Sequence, residues 1–215
     1  MIRIDCPQGS VEWIEARLGI PTASQFDKII TPKTMKLSDS SAKYAWALIA
    51  EQILRAPVDG GSSAFMQRGE TLERRAVSYY ELNRDVETDP VGVILRDDRR
   101  VGCSPDRLVG DDGLLEIKVP NIANHIGYLL DADGIGYRAQ VQGQLWIAER
   151  EWVDTLSYNP EMPNALVRVG RDEKFIAALA QAVDQFLEMV DTMKLELQRR
   201  HGLFLDFELP DLRIA

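Results

Sequence analysis

Apolar residues along this chain recur at helical spacing in some stretches and alternate with polar ones in others, and the switches between the two mark its elements. Val11, Ile14 and Leu18 share one helical face with Trp13 alongside, and Gly19 with Pro21 just beyond predicts the end of that helix. A second helix is expected from Thr22 to Ser24 onward, carrying Phe26, Ile29 and Ile30. A hydroxyl there caps the helix or, with Arg17 five residues before Thr22, joins a phosphate site at a helix N-terminus; ordinary capping is the plainer reading. Thr31 to Asp39 reads as a polar loop in which Lys33 and Lys36 serve solubility. Ser41 to Leu54 reads as a helix through Tyr44, Ala45, Leu48 and Ile49, with Trp46 beside them. Pro57 to Ser63 breaks it, and the bulky Phe65 and Met66 follow as residues more often found in cores. From Gln67 another helix runs through GETLERRAVSYYELN, placing Glu70 and Glu73 on adjoining faces.

The pattern then changes to strands. Val91 to Leu95 and Arg100 to Cys103 flank an Asp97-Asp98 turn and lead into VGCSPDRLVGDDGLLEIKVP, residues 101–120. Within it Leu114 to Val119 alternates apolar and charged residues, and Gly110-Asp111-Asp112-Gly113 is a turn signal. A meander of three or four antiparallel strands is the expectation. Residues 120–136 look polar and irregular, and the lone His125 in them is weak evidence for a ligand. Tyr137 to Glu149 is a strong helix with Gln140 and Gln144 at i,i+4, followed by strands at Trp152 to Ser157 and Ala165 to Val169. A last helix, Asp172 to Gln198, has one stripe of Phe175, Leu179, Val183, Phe186, Val190 and Met193. No internal repeat is visible.

Composition narrows the class. A chain of 215 residues suits one domain, and 45% hydrophobic with 27% charged residues is ordinary for a soluble protein. No apolar run reaches the length of a membrane span, and Met1 to Asp5 lacks a signal-peptide profile, so a cytoplasmic protein with no membrane association is expected. Cys6 and Cys103 have no ligand spacing and read as reduced thiols, with Cys103 packed beneath the site proposed below. A net charge of −9 argues against nucleic acid as a partner, which usually selects a basic footprint. Residues 1–75, however, carry ten Lys and Arg against nine Asp and Glu, so a local basic groove is compatible with the total, especially with metal ions at its centre.

The candidate chemistry lies in the hairpin, where Glu116 and Lys118 point to one face and Asp106 on the partner strand can meet them. Two close carboxylates repel and raise each other's pKa, a cost that a hard divalent cation removes. Asp106, Glu116 and the Ile117 carbonyl would form part of an oxygen shell suited to Mg²⁺. Asp…Glu-x-Lys is nonetheless degenerate, and spacing alone favours a solvated charged face with a salt bridge.

Four ordered blocks decide between these readings: Trp13-x-x-x-Arg17-Leu18-Gly19 with Thr22-Ala23-Ser24; Arg68-Gly69 followed by Glu73; Ser104-Pro105-Asp106 with Glu116-x-Lys118; and Ala139-Gln140-Val141-Gln142. Together with Arg171-Asp172-Glu173-Lys174 they resemble the lambda-type phage exonucleases, the YqaJ-like or alkaline exonuclease family of the PD-(D/E)XK superfamily. The resemblance implies an α/β (α+β) fold with a restriction-endonuclease-like core, a central mixed β-sheet flanked by helices. It implies a single nuclease domain over 1–215: a helical part (1–83), a sheet with the active site (91–169) and a C-terminal helix (172–200). The implied activity is 5′ to 3′ digestion of one strand of linear double-stranded DNA to mononucleotides, leaving 3′ single-stranded DNA for recombination by strand annealing.

By the same resemblance Asp106 and Glu116 bind two Mg²⁺, for which Mn²⁺ can substitute, with the Ile117 carbonyl assisting and Glu73 completing the site. Lys118 positions or deprotonates the attacking water, and Gln140 is a polar contact. Arg17, Ser24 and Ser104 match residues that hold a 5′-phosphate. Met66 aligns with a strand-separating wedge, and Lys33 or Lys36 touch the DNA. A homotrimeric ring, a single-strand annealing partner and a phage or prophage origin in a bacterial host are implied as well. Arg107 departs from the family pattern, where a glycine is expected, and either meets a phosphate or closes the turn; Gln144 stands where broader relatives place a tyrosine. The competing readings are a structure-specific endonuclease on the same fold and a catalytically silent DNA-binding scaffold.

Overall fold

The computed structural model of the chain describes residues 1–58, 63–131 and 137–203, with only the backbone given over 63–70. Its elements run β1 (Ile2–Ile4), α1 (Val11–Arg17), a 3₁₀ helix (Ala23–Lys28), β2 (Ile30–Thr31), β3 (Lys36–Leu37), α2 (Ser41–Leu54) and α3 (Ser63–Arg84). Then come β4 (Asp89–Pro90), β5 (Val93–Leu95), β6 (Gly102–Cys103), β7 (Arg107–Val109), β8 (Gly113–Lys118), α4 (Ile122–Leu130), α5 (Arg138–Ile147), β9 (Trp152–Ser157), β10 (Ala165–Gly170) and α6 (Glu173–His201).

The central sheet has the order β10-β9-β8-β7-β4 and is mixed. β7 and β8 form the antiparallel hairpin read from the sequence, with Arg107 opposite Leu115 and Val109 opposite Gly113. β8 and β9 are parallel, with Glu116 opposite Thr155 and Lys118 opposite Ser157. A parallel pair needs a crossover, and α4 and α5 supply it. β8 is buried on both faces. Leu115 and Ile117 pack with Ala76, Val77 and Tyr80 of α3, while Leu114 joins Val153, Leu145, Phe175 and Leu179 in the main core. Helices therefore cover both faces of a central mixed sheet, as the sequence implies. On α6 the stripe Phe175, Leu179, Val183, Phe186 and Val190 is buried, Met193 at its end packs partly buried against the same core, and Asp172 caps the helix by accepting from the Phe175 N–H at 3.0 Å.

Several local expectations change. β5 and β6 do not continue into the hairpin as a meander; they pair with β1 in a separate sheet of order β1-β5-β6. Ile2 and Ile4 of β1, too short a run to announce itself, pack there with Val93, Leu95, Ala16 and Trp13. The polar loop at 31–39 contains a small hairpin, β2 with β3. The expected helix after Thr22 is a short 3₁₀ helix, and Thr22 makes no side-chain cap. Residues 122–130, expected to be irregular, form α4, capped by Asn121 accepting from the Asn124 N–H at 2.9 Å. Its tether is His125, fully buried, with Nε2 donating to the Pro163 carbonyl at 2.9 Å and Nδ1 meeting Ser157 Oγ at 2.7 Å. Among the described residues no helix is long and apolar enough to cross a membrane.

Candidate active site

β8 places Glu116 and Lys118 two residues apart on one face, so both project toward α5. There the side chains interlock. Lys118 Nζ donates to Glu116 Oε1 at 2.7 Å and to Gln140 Oε1 at 3.0 Å, and Gln140 Nε2 donates to the same Glu116 oxygen at 2.7 Å. Gln144, one helical turn on, donates from Nε2 to Glu116 Oε2 at 2.6 Å. Glu116 is thus buried with both oxygens held. Tyr137, at the start of α5, lies with its ring centroid 4.3 Å from Lys118 Nζ.

Asp106 stands immediately before β7 rather than within it, and its Oδ2 accepts from the Ile117 N–H at 2.5 Å. Burial, then the charges of Glu116 and Glu73, push its carboxyl well above the usual carboxylate range, against the pull of the Ile117 N–H and Lys118. Glu73 is the helical acid of α3 that Asp106 feels. Arg107 turns back, its Nη1 donating to the Asp106 carbonyl at 3.1 Å.

The donor set suits a divalent cation. A carboxyl held above its normal range by burial, and then by neighbouring carboxylates, is a group whose negative charge lacks compensation. Among the described residues no three His, Cys, Asp or Glu side chains gather into a closed metal cage. Asp106 and Glu116 are a two-carboxylate set, to which main-chain and water oxygens would have to be added to hold a divalent cation.

A second cluster adjoins the first. Arg17, at the end of α1, donates from Nη1 to Ser104 Oγ at 2.9 Å and reaches Thr22 Oγ1 at 3.4 Å and Ser24 Oγ at 3.5 Å. Trp13 Nε1 donates to Ser104 Oγ at 3.1 Å, and its ring centroid lies 4.1 Å from the Arg17 guanidinium. The pieces are brought together by main-chain pairing: the Gly102 N–H donates to the Pro21 carbonyl at 3.1 Å, and Thr22 bridges to Gly102. Burial lowers the Arg17 guanidinium from its ordinary value, opposed in part by the charges of Glu116 and Glu51. Yet a guanidinium stays charged, and this one meets hydroxyls and an indole face with no ion-pair partner among the described residues. Such a cation is prepared for an anion. The hydroxyls of Thr22 and Ser24 therefore serve Arg17, not a helix cap.

The remaining predicted positions divide cleanly. Lys33 and Lys36 are exposed on and beside the β2–β3 hairpin. The side chains of Met66, Arg68 and Glu70 lie outside the described residues. Cys103 is fully buried, and burial pushes its thiol up, which makes it inert. The holds of Gln144 on Glu116 and of Tyr137 on Lys118 were not anticipated as such. Their signal was the glutamine pair at i,i+4, which named the helix face but not what it meets.

Residues 12–151, which contain both clusters, match the family described as the YqaJ-like viral recombinase domain. The chain belongs to that family. Among solved structures, LHK-Exo in complex with dAMP is 32% identical, with a TM-score of 0.80 over 90% of this chain and 98% of that one. The alkaline exonuclease LHK-Exo from Laribacter hongkongensis also matches at 30% identity and a TM-score of 0.77, again over 90% and 98% of the two chains. A phage-related exonuclease from Haemophilus somnus, at 16% identity and a TM-score of 0.67 over 83% of this chain and 96% of its own, shares the fold. No curated protein matches the chain. Membership of this DNA-acting exonuclease family makes the chain a nuclease, of a kind that generally uses divalent metals.

Proposed function

We propose that this YqaJ-family nuclease is a Mg²⁺-dependent 5′ to 3′ exonuclease that digests one strand of linear double-stranded DNA to mononucleotides, leaving 3′ single strands for annealing. The observation that carries the reading is the adjacency of the two clusters. Ser104, which accepts from Arg17, lies two residues before Asp106, so an anion held by Arg17, Ser104 and Ser24 sits at the threshold of the carboxylates. A terminal 5′-phosphate is such an anion, and its capture would limit cutting to DNA ends.

In this reading Asp106, Glu116 and the Ile117 carbonyl hold the cation, two ions being the expectation, with Mn²⁺ able to replace Mg²⁺ and Glu73 completing the site. Bound there, the cation supplies charge neutralisation for the phosphodiester and a more acidic water. Lys118 has three N–H donors, of which two go to Glu116 and Gln140. The third is available to orient the attacking water. A base role for Lys118 predicts a rate climbing into alkaline pH at constant DNA binding. A flat profile would leave Lys118 with orientation alone.

The proposal extends to one nuclease domain over residues 1–215, a homotrimeric ring around DNA, a single-strand annealing partner and a phage or prophage protein working in the bacterial cytoplasm. A ring that is acidic outside and neutral or basic within is compatible with a net charge of −9 and favours sliding over sticking. The test is digestion of linear duplexes labelled at either end, with and without a 5′-phosphate, in Mg²⁺. Label should leave first from the 5′ end and faster from phosphorylated ends. Release from the 3′ end, or cutting of covalently closed circular duplex as an endonuclease would do, overturns it.

A further inference from the structure

Behind Glu116 two buried polar atoms lack a hydrogen-bond partner among the described residues, Gln144 Oε1 and Thr155 Oγ1. Gln144 is 1% exposed and Thr155 2%, so water from bulk does not serve them. An unsatisfied buried polar group costs about 1–3 kcal/mol, and two of them around one carboxylate call for a common explanation.

Their placement gives one. Thr155 is the register partner of Glu116 in the parallel β8–β9 pair, and paired residues of neighbouring strands project to the same face. One pair earlier on that face, Leu114 and Val153 pack into the core that includes α5 residues Val141 and Leu145. Thr155 and Glu116 thus both face α5, which carries Gln144. The amide of Gln144 has one permitted orientation: Nε2 must face the Glu116 carboxylate, because the flipped amide would set oxygen against oxygen. That turns Oε1, an acceptor, away from Glu116, and the Thr155 hydroxyl on the same side of the sheet offers a donor. The two do not bond directly. One buried water can accept from Thr155 and donate to Gln144.

We propose that Gln144 and Thr155, joined through one buried water, are positioning residues that fix the Oε2 side of Glu116, as Lys118 and Gln140 fix its Oε1 side. The chain of contacts runs Thr155, water, Gln144 amide, Glu116. Thr155 acts only through Gln144. The inference rests on the reading of Glu116 as a cation ligand.

The experiment is calorimetric titration of the full-length protein with Mn²⁺, alongside thermal melts, for the wild type and for Gln144→Leu, Thr155→Val, Thr155→Ser, the Gln144→Leu/Thr155→Val double variant and Asp106→Ala. Gln144→Leu should weaken Mn²⁺ binding about 10–100-fold, the usual effect of losing a group that orients a ligand. Thr155→Val, of equal shape, should weaken it less, and Thr155→Ser should restore it. The double variant should bind as Gln144→Leu does, since the two substitutions cut one chain. Should Gln144→Leu fail to fold, Thr155→Val against Thr155→Ser decides alone. Wild-type affinity in Thr155→Val, or losses that simply add in the double variant, overturns the proposal. Asp106→Ala separates the two readings: if it loses Mn²⁺ while Thr155→Val does not, only the positioning relay falls; if it binds normally, the cation site itself falls and the relay with it.

Discussion

Asp106 faces Glu116 and Glu73 from a partly buried position, and the fold favours its protonated form. With a folded pKa above the unfolded value near ~3.9, the native state holds this proton to higher pH than the unfolded chain does. The stability it contributes is complete below the unfolded value and is lost as pH rises through the folded one. Metal-free Asp106→Asn, which keeps an acceptor for the Ile117 N–H, should therefore melt higher than the wild type at neutral pH, with the gap closing on acidification; thermal melts in chelator read this directly. Arg17 makes a second prediction. Arg17→Ala should lower kcat/KM on 5′-phosphorylated ends about 10–100-fold, the worth of a charge-assisted hydrogen bond at ~1.5–3 kcal/mol, and leave 5′-hydroxyl ends nearly unaffected. Equal loss on both kinds of end would make Arg17 structural. At this scale the juxtaposition of Glu116 and Lys118 was legible, since charged residues two apart on an otherwise apolar strand share a face, whereas their role rested on the family resemblance. The grip of Gln144 was not, because a glutamine on a helix does not reveal its partner.

Elements carry these residues into place, and two contacts show how. Gly143 lies between Gln140 and Gln144 on α5, where an added Cβ would come within 2.4 Å of the Phe26 ring. Gly143→Ala should cost about 1–3 kcal/mol by overpacking and should lower activity as well, because α5 must shift and both glutamines shift with it. A melt with an unchanged midpoint would show that Phe26 yields instead. His125→Ala would strip the Ser157 hydroxyl and the Pro163 carbonyl of their shared partner and leave a cavity, a loss of about 2–4 kcal/mol measurable by denaturant unfolding. α4 escaped the sequence reading although Ile122, Ile126 and Leu130 recur at helical spacing. That apolar stripe remains exposed, and one buried imidazole on another side of the helix ties it to β9. The stripe of α6, by contrast, was visible because every apolar residue in it is spent on the core.

Over the whole molecule the nuclease reading predicts dependence on an end. Linear duplex should be consumed while a covalently closed circle of the same sequence survives, as gel analysis in Mg²⁺ would show. Because the chain has a net charge of −9, its hold on duplex away from the site should be weak and should fade further with added salt. The sequence by itself determined the strongly periodic helices and the β7–β8 hairpin, since period and turn chemistry are local properties of a chain, and it put Glu116 and Lys118 on one face of β8. Only the tertiary structure decided that β5 and β6 leave the central sheet to pair with β1, that β9 enters it parallel to β8, and that Arg17 meets Ser104 across 87 positions of the chain. The physical reason is that those outcomes depend on which apolar faces find one another, and on Pro21 pairing with Gly102, neither of which any window of neighbouring residues contains.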